Sequence, residues 1–161
     1  MEERWHRHLG VYGICKRNHE LLVIHKIRGP YKNRYDLPGG TVEPNESLTD
    51  AIQREFQEET GYDIEILQNL GVRDFVVPQS PENKETTHVH HVAIFYEVKY
   101  VSGHSTYASD VEENDSIGAE WVDIKELTPE NCSPLVMQAI AWLNGGSSNL
   151  KAKRLDDWIV K

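Results

Sequence analysis

Between Gly40 and Tyr62 the chain reads GTVEPNESLTDAIQREFQEETGY, and no other stretch limits the possible folds so tightly. At 100° per residue, Leu48, Ala51, Ile52 and Phe56 form one apolar helix stripe; Glu55 and Glu59 fall within the same arc, with Glu58 just beside it. Carboxylates along a buried edge need a counter-charge to offset desolvation and mutual repulsion. At ~5 Å and an effective dielectric near 20, each like-charge pair costs roughly 3 kcal/mol. The helix ends sharpen the conflict. Asn45 or Ser47 is placed to cap the start, just after Pro44, and Gly61 to end the helix in a left-handed turn. Glu58 and Glu59 then stand in the last turn, where the helix dipole opposes negative charge by about 0.3–1 kcal/mol each. Stability alone does not select them. Oxygen ligands at this spacing suit a hard divalent cation, Mg²⁺ or Mn²⁺, better than zinc.

The same segment resembles the Nudix box, G-x5-E-x7-R-E-U-x-E-E-x-G-U with U a bulky apolar residue. Gly40, Glu46, Arg54, Glu55, Glu58, Glu59 and Gly61 fill its fixed positions, Phe56 fills the first U, and Tyr62 fills the second with a less usual aromatic. The resemblance implies Glu55, Glu58 and Glu59 as metal ligands, the Gly39 carbonyl as a further ligand, and Arg54 with Glu46 as the pair that orients them. Glu58 is read as ligand or base. Related enzymes often carry a catalytic or metal-binding carboxylate on the loop before a late strand. Here that loop precedes Trp121 and holds Glu112, Glu113 and Asp115: position favours Asp115, residue type favours Glu113 or Glu112, and Glu120 is a weaker candidate. Pro78, sixteen positions beyond the box, resembles a feature of ADP-ribose pyrophosphatases, with other nucleoside phosphates kept open as substrates.

A chain of 161 residues is most simply one domain with a real core, and a 39% apolar fraction fits a globular class. No apolar run reaches membrane-spanning length, and the start, MEERWHRHLG, lacks the apolar stretch of a secretion signal, so the expected location is cytoplasmic. The formal charge of −9 argues against gripping a nucleic-acid polymer through its phosphates. It also means that a phosphorylated small molecule is repelled unless a cation or a local basic cluster intervenes. Lys26, Arg28, Lys32 and Arg34, leading into the box, are candidates for phosphate contact. Cys15 and Cys132 fit two buried, reduced thiols rather than a disulfide framework or a zinc pattern. The expected state is monomer or homodimer.

Residues 11–15 and 21–27 are β-rich and joined by the polar KRNHE, which predicts a hairpin; the run LLVI predicts a strand covered on both faces. Strands are expected at 64–70, 72–77, 89–101 and 120–123, and a closing helix at 134–143 ended by Gly145 and Gly146. Strands split by one long helix and finished by another indicate a mixed sheet between helices. The resemblance implies the same fold, an α/β/α sandwich with a mixed β-sheet. The tail from 146 to 161 begins like a linker, and its terminal WIV is expected to dock on the body, as an edge strand if it pairs.

In H-x-H-H, His88 and His90 go to one strand face and His91 to the other, which leaves at most two for a shared metal. Tyr31, Tyr35 and Phe75 are candidates to stack on a base, or simply to pack. The expected activity is Mg²⁺-dependent cleavage of a nucleoside diphosphate linked to another group, a nucleoside triphosphate or ADP-ribose for example. A non-catalytic nucleotide-binding module is the alternative. Isoprenoid diphosphate isomerisation, which uses a thiol and a carboxylate, ranks last.

Overall fold

Alternation along the first strand sets up the layers of the computed structural model, which describes residues 2–103, 116–145 and 153–161. On β1 (Trp5–Ile14), Val11 joins a core with Ile52 and Phe56 of helix α1 (Leu48–Thr60). Its neighbours Tyr12 and Ile14 join a second core with Leu135, Val136 and Ala139 of helix α2 (Pro134–Leu143). Successive strand residues point to opposite faces, so each helix covers one side of the strand layer. The result is an α/β/α sandwich.

One sheet runs in the order β5 (Gly39–Thr41), β1, β7 (His88–Gly103), β6 (Tyr62–Pro78), β9 (Lys153–Arg154). It is mixed: β1 lies parallel to β7 and antiparallel to β5, while β6 runs antiparallel to β7. The other sheet joins β2 (Lys16–Arg17), β3 (Glu20–Lys26) and β4 (Tyr35–Asp36), with β8 (Ser116–Asp123) on the second flank of β3. Leu21, Leu22, Val23 and Ile24 of β3 are all buried, as a strand covered on both faces requires.

Five local expectations change. β1 begins at Trp5, six residues before the expected 11–15. The KRNHE hairpin pairs only at its tip, Lys16 with Leu21 and Arg17 with Glu20; beyond Cys15 the strands part, because β1 takes β5 and β7 as neighbours. The two strands expected at 64–70 and 72–77 are one, β6. It carries bulges around Ile64, Gln68 and Gly71, and Gly71, at φ 101°, absorbs the break without ending the ladder. β8 begins four residues early by pairing with β3. At the tail, the edge strand is Lys153–Arg154, parallel to β6, and not WIV. α2 has its expected bounds, with Ser133 as N-cap and Gly145 at φ 72° just past its end. Among the described residues no helix is long and apolar enough to cross a membrane.

Candidate active site

Helix α1 starts at Ser47, whose Oγ accepts from the Asp50 N–H at 3.1 Å, and stops at Gly61 in the left-handed region at φ 76°. Asn45, the other candidate cap, instead sits in the preceding turn at φ 62°. Ala51, Ile52 and Phe56 are buried as the spacing predicts; Leu48, in the first turn, is largely exposed. Glu59 lies within the buried stripe and is only 5% exposed. Its Oε2 accepts from the Gly39 N–H at 2.9 Å.

The two glycines make this approach possible. A Cβ on Gly39 would lie 2.0 Å from the Val11 carbonyl oxygen, and one on Gly40 would lie 2.7 Å from the Glu55 carboxylate. Tyr62, just past the helix, packs against Tyr100 and Trp121, which explains an aromatic at that position.

Arg54 organises the remaining acids. Its Nε and one terminal nitrogen hold both oxygens of Glu46, at 2.6 and 3.0 Å. That same nitrogen donates to the Thr41 carbonyl, and the other donates to Glu55 at 3.0 Å and Glu58 at 3.1 Å. This bidentate pairing holds Glu46 down to about 2, well below the usual carboxylate range, and raises Arg54. Burial pushes Glu55 up despite Arg54. It pushes Glu59 up further, with Glu55 and Asp36 adding repulsion while Lys26 and the Gly39 N–H oppose it.

Two acids one helical turn apart, both disfavoured as anions, fit a divalent cation, which would restore their charge, and the donor set is all oxygen. Among the described residues, no three acid, imidazole or thiol side chains already converge as a metal cage. Arg54 turns Glu55 and Glu58 toward itself, and Gly39 holds Glu59.

A cavity of about 270 Å³ opens on the α2 face of β1, lined by His6, His8, Tyr12, Arg28, Tyr31 and Asp36 among others. Tyr12 ties it to the acids, because its ladder partner Gly39 donates to Glu59, and Asp36 adds to the repulsion on Glu59. His91, also on the cavity lining and buried, bridges two tyrosines, with Nε2 2.8 Å from Tyr12 Oη and Nδ1 2.8 Å from Tyr31 Oη. Burial lowers the His91 pKa well below its ordinary value and raises both phenols. Asp36, also buried, accepts from Ser133 Oγ at 2.6 Å and the Leu37 N–H at 2.9 Å, and burial raises it. Reading the sequence missed Tyr12, His8 and Asp36; polar letters inside strands gave no sign of a shared cavity.

Of the basic residues expected at phosphate, Arg28 lines the cavity, and Lys26 acts electrostatically on Asp36, Glu55 and Glu59. Lys32 is ion-paired with Glu82 at 2.8 Å. Arg34 is only 6% exposed, its guanidinium turned to backbone carbonyls, so it is a structural clamp and not a phosphate contact. Glu112, Glu113 and Asp115 lie outside the described residues. Glu120 contacts His25 at 2.8 Å.

Phe75 is core, and Tyr35 packs on the His25 ring; Tyr31 alone of the three aromatics meets the cavity. The histidines divide as expected: His88 stacks on Trp5, His90 pairs with Asp74, and His91 faces the other side. Pro78 ends β6. Cys15 and Cys132 are free and buried, and burial pushes them up to about 11 and about 12, so neither supplies thiolate at neutral pH.

The family model for the NUDIX domain matches residues 4–143. A curated protein named ADP-ribose pyrophosphatase, from Methanocaldococcus jannaschii, is 28% identical over 142 residues, 87% of this chain and 77% of its own length. The MutT NUDIX hydrolase from Burkholderia pseudomallei superposes with a TM-score of 0.64 at 23% identity, covering 84% of this chain and 96% of that one. A NUDIX hydrolase from Nitrosomonas europaea gives 0.64 at 21% identity, covering 92% and 93%.

Proposed function

This chain belongs to the Nudix family, and from that premise we propose that it is a Mg²⁺-dependent pyrophosphohydrolase acting on a nucleoside diphosphate linked to another group, with ADP-ribose the first substrate to test. That it is a Nudix-type hydrolase rests on the family match and its named relatives. The archaeal relative's name supports ADP-ribose. One observation carries the reading: Glu55 and Glu59 are neighbouring carboxylates raised by burial, at the end of a helix whose Arg54 gathers three acids.

In this reading Glu55, Glu59 and the Gly39 carbonyl would hold the cation, with Mn²⁺ able to substitute; bound there, it would supply charge neutralisation of the diphosphate and a lowered pKa for water. Glu58, whose side chain is about half exposed, is a third ligand or accepts the proton of that water. By family resemblance, one of Glu112, Glu113 and Asp115 is the other candidate to activate water or to complete the metal shell. Water adds to one phosphorus as the bridging P–O bond breaks, and the leaving phosphate keeps the bridging oxygen. Arg54 and Glu46 position the acids, and Arg28 contributes charge at the cavity.

A panel of nucleoside di- and triphosphates, ADP-ribose, dinucleoside polyphosphates and nucleotide sugars, assayed with and without EDTA, tests the class: EDTA is expected to abolish product release. Glu59→Gln should keep the fold yet lower turnover about 100-fold or more. Near-native turnover of that variant in Mg²⁺ would refute the assignment.

A further inference from the structure

We propose that the C-terminal segment 153–161 is a strut for the substrate cavity, in which Trp158 and Arg34 are positioning residues that set the wall at 28–31 and so govern substrate affinity. This rests on the reading that the cavity beside Glu59 receives substrate. Arg28, Gly29, Pro30 and Tyr31 form that wall. The segment turns tightly, with Gly29 at φ 77° and Asn33 at φ 59°, and its Lys32 and Arg34 amides bond back to Gly29 and Tyr31 within it.

The tail grips this turn from behind. Trp158 Nε1 donates to the Pro30 carbonyl at 2.9 Å, and its ring meets Tyr31 edge-on, with centroids 5.9 Å apart at 88°. The Arg34 guanidinium lies 4.0 Å over the Trp158 ring and donates to the Ile159 carbonyl at 3.0 Å and to the Glu130 carbonyl at 2.8 Å. Asn33 Nδ2 donates to the Lys161 carbonyl at 3.0 Å. The tail is itself anchored, since β9 pairs with β6 at Phe75 and Val76, and the Leu155 amide bonds to the Val76 carbonyl at 2.9 Å.

Trp158 is not among the residues lining the cavity, so it acts through Pro30 and Tyr31. The Tyr31 hydroxyl in turn begins the buried chain through His91 to Tyr12, whose ladder partner Gly39 donates to Glu59. Small displacements of such a wall alter binding strongly, because binding groups must be held within fractions of an ångström.

The test uses the full chain with ADP-ribose and Mg²⁺, or the best substrate of the panel. Trp158→Ala should raise KM about tenfold with kcat within about twofold of the parent. Trp158→Phe keeps a ring against Tyr31 but loses the donor to Pro30, and should raise KM about threefold. Hydrogen exchange of the peptide over residues 28–34 should speed up in both variants while that of α1 stays unchanged, a readout independent of activity. KM unchanged in a folded Trp158→Ala, or a loss confined to kcat, overturns the proposal. If that variant does not fold, an unchanged KM in Trp158→Phe overturns it equally. Glu59→Gln is measured alongside. Near-native turnover there sinks the catalytic reading, whereas its loss together with an unaffected KM in the Trp158 variants sinks only the strut.

Discussion

Two arginines of this chain each make three or more hydrogen bonds, and they serve opposite ends. Arg54 draws its partners, Glu46, Glu55, Glu58 and the Thr41 carbonyl, from within thirteen residues. Arg34 takes its own from Pro129, Glu130 and Ile159, 95 to 125 residues away, and stacks on Trp158. Around Arg54 three carboxylates meet one guanidinium, the excess of acids that the proposed cation site calls for. Around Arg34 the partners are neutral carbonyls and a ring; burial lowers its pKa, and its Nε finds no acceptor. A guanidinium set against carboxylates organises chemistry, whereas one set against backbone ties distant segments together.

Substitutions separate these roles. Arg54→Met should lower turnover by about 10- to 100-fold, as loss of a group that orients metal ligands generally does. Steady-state assay over a Mg²⁺ titration checks it, and a variant with parental kcat and metal demand would erase the contrast. Arg34→Met should instead destabilise the fold by about 2–3 kcal/mol, since three backbone carbonyls lose a charged donor that is itself buried. Urea denaturation measures this, and an unchanged midpoint would show that the clamp contributes little.

Acid is the subtler probe. His91 is held neutral by burial, so its folded pKa lies below the ordinary 6.5, and stability present above that value is lost as pH falls below it. Glu46, held down to about 2 by Arg54, gives stability that is present above its ordinary 4.5 and lost only as pH falls from there toward 2. Glu55 and Glu59, both raised, favour the folded state as they take up protons. Hydrogen exchange at pH 7, 5.5 and 3.5 should therefore show strands around His91 loosening before the loop and helix from 46 to 60. Simultaneous loss at both would remove the distinction.

The legible half of the molecule is the local half. Ser47, Gly61 and the Ala51, Ile52, Phe56 stripe could be read because capping and helical period depend on residues three or four apart. The α2 bounds were equally readable from the run that opens at Pro134 and the glycine that follows it. Arg34 was misread for the opposite reason. In a run of basic residues, nothing local distinguishes the one that will be buried against a tail more than a hundred positions away. Phe75 and Tyr31 both enter the same buried core, and only the packing sets Tyr31 on the cavity as well.

The sequence by itself determined the acid-bearing helix, its caps, the glycines before it and the layered mixture of strands and helices, because each depends on short-range periodicity and backbone freedom. Only the tertiary structure decided that His91 would bridge Tyr12 and Tyr31, that β9 would add at the sheet edge, and that Trp158 would brace the turn before the box. Those contacts arise from which surfaces remain uncovered once the sheets assemble, a property of the whole chain that no window of neighbouring residues contains.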